Sequence, residues 1–318
     1  MKKKWIIGII VVIILIAIVG GGSDDESQKE VTDVGNDVVE DFAEGFEDGL
    51  EDALSDSEKE IAEVDGAAQA EAAIVEETVL IDQDDVMITA KGLEEDSIWG
   101  TGLKLLIENN STKDLGIGCK ALIVNNYMLT DLFSSQVAAG KKGNETMYLS
   151  STELKAAGIE NIGQIEVYFY IYDSETYETI REFDKVTVQT SLFDSMDVKA
   201  MDDGQELLNQ DGIRIVGKYV DEDSFWGAAI LLYVENNSGK NVTVSCDDMS
   251  VNGFMMTPYF SSTVYNEKMS LDEITLMSSE LEENGITSIE DVELKFRVFN
   301  PDTYDTMFET DPISFSMQ

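Results

Sequence analysis

The sequence predicts a mainly β protein of two tandem β-sandwiches, preceded by one transmembrane helix and an acidic, largely disordered or partly helical stalk. Three observations carry this reading: a gapless internal repeat, apolar alternation of period two inside each copy, and an N-terminal quarter of quite different composition. The stretch from Leu80 to Asp184 recurs from Leu207 to Asp311, every aligned pair lies 127 positions apart, and 40 of the 105 pairs are identical. A repeat of that length is a duplicated domain, so the chain divides into an anchor (1–22), a stalk (23–78), a first repeat (79–191), a connector (192–205) and a second repeat (206–318).

The anchor reads Lys2-Lys3-Lys4, then an Ile- and Val-rich run from Trp5 through Val19, then three glycines. As a helix rising about 1.5 Å per residue, Trp5 to Gly22 reaches about 27 Å, enough to span a hydrocarbon core of about 30 Å if Lys4 snorkels. Basic residues before the span and acidic residues after it place the N-terminus in the cytoplasm and the rest outside the cell. The rival is a cleaved signal peptide, but no Ala-x-Ala site follows the run and no cysteine borders it to take a lipid. A retained signal anchor is expected.

From Ser23 to Thr78 the chain carries 21 acidic residues against two lysines, and self-repulsion should keep it extended. A faint helical signal runs through it, with Val34, Val38, Phe42, Phe46, Leu50 and Leu54 recurring every four residues. Gly35, Gly45 and Gly49 each weaken that helix by about 1 kcal/mol relative to alanine, so transient or partner-dependent helix is expected.

Within the repeats, residues of one kind recur at every second position, as half-buried strands require. Val86, Ile88 and Ala90 mark one strand, with Ile213, Ile215 and Gly217 in the second copy; Leu103, Leu105 and Ile107 mark the next. Asn125-Asn126 and Asn252-Gly253 lie between apolar runs and predict tight hairpins with φ > 0 at both turn positions. Ser151-Thr152-Glu153-Leu154 and Ser278-Ser279-Glu280-Leu281 each predict a single helical turn, closed by Gly158 and Gly285. The most regular strand follows, Ile165, Val167, Phe169 and Ile171 against Val292, Leu294, Phe296 and Val298. Seven or eight short strands at this spacing have the profile of an immunoglobulin-like sandwich.

Composition excludes several functions. A net charge of −43 is incompatible with neutralising nucleic-acid phosphates and opposes docking on anionic lipid. With no histidine in the chain, Ser-His-Asp and Cys-His catalysis and imidazole-bound zinc are impossible. Cys119 and Cys246 occupy equivalent positions, so no disulfide closes within either repeat, and each is expected to fill a strand position as a small apolar side chain.

The residues that offer ligand contact are Trp99 and Trp226, with Asp96 and Asp223 beside them, in the matching loops Asp96-Ser97-Ile98-Trp99-Gly100 and Asp223-Ser224-Phe225-Trp226-Gly227. An aromatic beside carboxylates can stack on a sugar or an ammonium group. The expectation, however, is that each indole plugs the end of its sandwich while the glycine turns the chain. Asp82, Asp84 and Asp85, or Asp221, Glu222 and Asp223, supply oxygens of the kind calcium takes but in no EF-hand spacing, so neither calcium nor any cofactor is expected. No pair of acids stands out for glycoside hydrolysis, and the chain is not expected to be an enzyme.

Together these motifs resemble a known pattern: the Trp-Gly loop, a strand ending in Glu-Asn-Asn-Ser at 108–111 and 235–238, the Val-Asn-Asn or Val-Asn-Gly hairpin, and Leu-x-x-x-Gly-Ile before a strand ending in Asp/Asn-x-x-Thr-Tyr. It is similar to uncharacterised Ig-like (telokin-like) domains of membrane-anchored or lipid-anchored Gram-positive bacterial surface proteins. The resemblance implies a fold and a place at the cell surface but no activity. The resulting expectation is a membrane-anchored extracellular binding protein whose partner is an extracellular protein or glycan. The alternative is a structural spacer or envelope assembly component.

Overall fold

A computed structural model describes residues 72–96, 100–130, 132–196, 198–224 and 226–316, without the side chains of Asp96 and Asp223. The expected membrane helix of 1–22, the stalk as far as residue 71 and Trp99 lie outside the described residues; among those described, no helix is long and apolar enough to cross a membrane.

The first repeat consists of β1 (Thr78–Gln83), β2 (Val86–Asp96), β3 (Gly100–Asn109), β4 (Leu115–Val124), β5 (Tyr127–Leu129), β6 (Ser134–Val137), β7 (Lys141–Tyr148), α1 (Ser151–Ala156), β8 (Gln164–Asp173), β9 (Thr179–Glu182) and β10 (Val186–Gln189). One sheet runs β1-β2-β3-β7; the other runs β10-β8-β4-β5, with β6 also on β4 and β9 on β8. The alternating side chains of both, among them Ile88, Leu103, Ile107, Leu122, Val167 and Phe169, form one core. The second repeat follows with β11 (Gln205–Gln210), β12 (Ile213–Ser224), β13 (Gly227–Asn236), β14 (Val242–Val251), β15 (Phe254–Met255), β16 (Ser261–Val264), β17 (Lys268–Met277), α2 (Ser278–Glu283), β18 (Asp291–Phe299), β19 (Thr306–Glu309) and β20 (Ile313–Ser316). Its order is the same, β11-β12-β13-β17 against β15-β14-β18-β19 with β16 on β14 and β20 on β18, around a core of its own.

Each quoted motif has a local physical role. Asn125 and Asn126 adopt φ of 47° and 70°, and Asn252 and Gly253 of 50° and 83°, as tight hairpin turns require. The Oδ1 of Asn125 accepts the N–H groups of Gly163 and Gln164, and that of Asn252 accepts those of Glu290 and Asp291, so each turn also ties down the start of the neighbouring strand. In Leu-x-x-x-Gly-Ile, the N–H of Gly158 donates to Lys155 O and that of Ile159 to Leu154 O, with Gly158 at φ +66°; Gly285 and Ile286 repeat this. That is a Schellman cap, in which glycine takes the left-handed position and isoleucine meets leucine. The helical turns begin at Ser151 and Ser278 as expected; Ser150 caps α1, whereas Met277, with no capping side chain, precedes α2.

In Glu-Asn-Asn-Ser the buried side chain is Asn109 or Asn236. The Nδ2 of Asn236 donates to Lys240 O and Val264 O at 2.8 and 2.7 Å, and its Oδ1 accepts from the backbone N and the hydroxyl of Ser238. Asn109 makes the same four bonds to Lys113, Val137 and Ser111. Each amide thereby holds the turn between the third and fourth strands against the sixth.

The outermost strands were not visible as sequence alternation. β1 and β11 each bury one side chain deeply, Ile81 and Leu208, and both are interrupted by the same bulge, Val79/Ile81 and Glu206/Leu208. Their turns, Asp84-Asp85 and Asp211-Gly212, have positive φ throughout, so Asp84 and Asp85, two of the aspartates read as candidate cation ligands, are hairpin residues. Folded structure also begins before residue 79: Val75 is buried in the first core, and Ile74 and Ser191 exchange backbone and hydroxyl hydrogen bonds.

The two sandwiches are joined by more than the connector. β5 of the first pairs in parallel with β17 of the second at Tyr127 and Met269, so one sheet continues from repeat to repeat. Val216, Tyr233 and Met269 of the second repeat belong to the core of the first, and Tyr168 meets Tyr265 edge-on with ring centroids 4.8 Å apart. The connector packs as well: Val198 and Met201 lie on the first core, and Lys199 O accepts the Tyr127 hydroxyl at 2.6 Å. Burial above all, with the nearby carboxylates of Glu235 and Asp203, pushes that hydroxyl up to about 12.

At the seam lies Glu166, 3% exposed. Its two oxygens meet Lys185 Nζ of its own repeat at 2.6 Å and Lys268 Nζ of the other at 2.5 Å, while Lys268 also donates to Asn126 Oδ1. Burial alone would raise this carboxyl, but the hydrogen bonds and charges of the two lysines outweigh it and hold the group below its usual range.

Two predictions follow from these contacts. Asn236→Ala, by orphaning buried carbonyls and an N–H, lowers unfolding free energy by about 3 kcal/mol in urea titration, with Asn109→Ala similar. The depressed carboxyl of Glu166 contributes stability that is complete above its ordinary value of about 4.3 and is lost as pH falls through its lower folded value. The stability gap between the native chain and Glu166→Gln therefore narrows on acidification below about pH 5, and a gap independent of pH would contradict the assignment.

Candidate functional site

The Trp-Gly loops lie between the second and third strands of each sandwich, closed by the pairs Asp96↔Gly100 and Ser224↔Gly227. Gly227 has a clear reason to be glycine: at φ +146°, a Cβ would fall 2.3 Å from Leu276 O and 2.4 Å from Ser278 N. The loop is pressed backbone to backbone against the end of β17, where Ser278 N donates to Trp226 O at 2.7 Å. Trp226 is 37% exposed, so it is not a fully buried plug: Gly227 lets the main chain fill the close approach, and Trp226 stands partly at the surface. Asp223 shares this hairpin through its backbone in β12, as Asp96 ends β2 in the other copy. Their neighbour Glu222 has a structural use, its carboxylate accepting the N–H of Ile289 at 3.0 Å.

A second pair of sites, which alternation alone did not reveal, lies at the hairpins after β8 and β18. Tyr177 and Tyr304 are 71% and 70% exposed and adopt φ of 59° and 60°. A bulky side chain in the left-handed region costs about 1–2 kcal/mol, and turns normally place glycine or asparagine there. The surrounding turn imposes it. Asp173 Oδ1 accepts the N–H groups of Glu175 and Thr176, the N–H of Tyr177 donates to Asp173 O at 2.8 Å, and Asn300 organises Asp302, Thr303 and Tyr304 in the same way. Each ring stacks on the aromatic that ends its strand, Tyr177 on Tyr172 at 6.0 Å and 19°, Tyr304 on Phe299 at 6.1 Å and 21°. Glu175 and Glu178, and Asp302 and Asp305, surround them. The sequence signal was identity at a turn position where tyrosine is unfavourable.

The repeats differ beneath these rings. In the first, Tyr170 and Tyr172 lie over Gly118 and Gly116, whose absent Cβ atoms would sit 2.3 and 2.0 Å from the rings. In the second, threonine and serine replace the glycines, and Arg297 stacks over Phe299 at 4.8 Å. Between the repeats a shallow cleft of about 340 Å³ is lined by Tyr168, Tyr265, Phe183 and Lys120, the last paired with Glu182 at 2.8 Å and Asp302 at 3.2 Å.

Both cysteines are buried free thiols; burial pushes Cys246 up to about 12, and the Cys119 thiol donates to Ala121 O. Among the described residues no group of three or more carboxylates or thiols could hold a metal ion, and Asp84, an expected calcium candidate, pairs with Arg181 at 2.7 Å.

No protein-family model matches the chain, and no curated protein matches it in sequence. Among solved structures it is similar to the Salmonella enterica SafA pilin in complex with the SafB chaperone, at 12% identity and a TM-score of 0.21 over 68% of this chain and 89% of that one. It is also similar to Bacteroides uniformis β-glucuronidase, at 10% identity and 0.21 over 76% and 27%, and to a Porphyromonas gingivalis W83 protein of unknown function, at 8% and 0.17 over 72% and 94%. Likenesses this slight assign neither a family nor a function.

With Trp5 and Trp99 replaced by phenylalanine, the emission of Trp226 in the full chain is expected to be quenched readily by acrylamide, in keeping with its 37% exposure. Blue, protected emission would restore the plug.

Proposed function

We propose that the chain is a membrane-anchored extracellular binding protein that displays two immunoglobulin-like sandwiches and engages its partner through the tyrosine hairpins. The observation that carries this reading is the pair of exposed, conformationally strained tyrosines at one position of both repeats. Strain retained at an exposed residue points to a use other than folding. Flanking carboxylates and the net charge of −43 favour a cationic partner surface, and arginine is the side chain that stacks best on an aromatic ring. Two copies on one stalk add avidity wherever both engage. Trp226 and Asp223, with Trp99 and Asp96, form a secondary contact in this reading, and 1–22 anchors the chain in the cell membrane with the repeats outside.

The test compares the native chain with Tyr177→Gly/Tyr304→Gly for binding of an arginine-rich peptide and, separately, a neutral oligosaccharide. The expected result is that the peptide binds the native chain and that its affinity falls at least about tenfold in the variant, a loss of about 1.4 kcal/mol, while relief of the left-handed strain raises stability by about 1 kcal/mol per site. Equal peptide binding by both chains would reduce the interaction to bulk charge and sink the proposal. A specific observation favours the second reading, a structural spacer or assembly component: the repeats are joined by a continuous sheet and a buried ion pair, which opposes their independent movement. Absence of any tyrosine-dependent binding would leave that reading.

A further inference from the structure

We propose that the chain associates head to tail with a second copy of itself, the β15 end of one second repeat docking on the β7 edge of another first repeat. The proposal is independent of the tyrosine hairpins and rests on an interface the chain already makes once. The first repeat presents one end, built from Asn126, Tyr127, Met128 and Glu166, to a face of the second repeat built from Val216, Tyr233, Lys268 and Met269. Because the repeats are duplicates, each half of that interface has a counterpart that meets no other repeat among the described residues, although there Lys142 pairs with Glu108 at 2.7 Å and Glu293 accepts the Ser314 hydroxyl at 3.0 Å.

The counterpart of the presented end is Gly253, Phe254, Met255 and Glu293. Where Tyr127 is 1% exposed, Phe254 is 47% exposed, and Met255 is 66% exposed. Beside Phe254 an open cleft of about 460 Å³ runs along Ile286, Ser288 and Asp291. The counterpart of the receiving face is the outer side of β3 and the edge of β7, where Leu106, Lys141 and Lys142 stand in place of Tyr233, Lys268 and Met269. β7 ends its sheet, whereas β17 is extended by β5.

One charged pair is kept in both copies. Lys268 and Glu166 meet at 2.5 Å in the seam, and their equivalents Lys141 and Glu293 are both exposed, one in each repeat. Docked by the same operation, Lys141 would meet Glu293, Phe254 would lie on Leu106, and the backbone of Lys142 would pair with Phe254 as Met269 pairs with Tyr127. Other contacts are not duplicated. Lys295 and Ala138 replace the Tyr168–Tyr265 pair, and Asp247 opposite Glu175 replaces the Lys120–Asp302 ion pair. The association is therefore weaker than the internal seam. Being heterologous, it forms open chains rather than closed dimers.

The predicted register supplies the test, made on the full chain in detergent. Lys142→Cys and Phe254→Cys chains are oxidised with diamide, which takes up the two electrons and two protons released as a disulfide forms; Cys119 and Cys246, buried, stay out of the reaction. Docking holds the two thiols at high local concentration, so the mixture should form a heterodimer at least about tenfold faster than either chain forms a homodimer. Chains carrying both substitutions should give a ladder of multimers. Leu106→Glu added to the Lys142→Cys chain should abolish the excess. Faster homodimers of Phe254→Cys would show a symmetric contact and overturn the proposal, as would equal rates throughout. As a check free of substitutions at the seam, the average mass of the native chain should rise with concentration beyond the dimer, and a constant monomer mass up to about 1 mM would overturn it.

Discussion

Glu166 is a charge that folding has taken almost entirely out of water, and the way it is satisfied decides how the two halves of the molecule relate. A buried carboxylate is tolerated only when cations and donors surround it, and here one lysine comes from each repeat. Removing either side would leave a desolvated charge, so the repeats are held in one orientation by more than apolar contact. The parallel pairing of Tyr127 with Met269 and the edge-on packing of Tyr168 with Tyr265 then act on surfaces already in register. Two duplicated sandwiches on a flexible connector would move independently; the described residues of both repeats belong to one compact unit.

That rigidity bears on both functional readings. The tyrosine hairpins follow the strands β8 and β18 of a single rigid unit, so their separation is set by the fold, and a bivalent partner would meet a fixed spacing. A unit with an unpaired strand edge at β7 and an exposed apolar strand at β15 is also suited to extension by further copies. Divergence between the repeats follows the same logic. Tyr233, Tyr265 and Met269 fill the seam with large side chains, and the smaller or charged Leu106, Ala138 and Lys142 stand at the same positions of the first repeat, where a contact would be weaker.

Much of the sandwich was legible in the sequence because its signals are local. The turns Asn125-Asn126 and Asn252-Gly253, the Schellman caps at Gly158 and Gly285, and the alternation of β3, β8 and β18 depend on residues close along the chain, and the structure places them as read. β1 and β11 escaped notice because an edge strand that buries one deep side chain scarcely alternates. Trp226 was misjudged because its exposure depends on the approach of the end of β17, about fifty residues away in sequence, to the backbone at Gly227.

By itself the sequence determined the duplication, the β architecture of each copy, the turns, the absence of imidazole chemistry and the strongly acidic character. These follow from periodicity, composition and the backbone needs of single residues. Only the tertiary structure decided that the repeats share a sheet and a buried ion pair, that Tyr177 and Tyr304 stand strained at the surface, and that Phe254 is exposed where Tyr127 is buried. Those are relations between residues far apart in the chain, and burial at such contacts is set by which surfaces meet rather than by which residues follow one another.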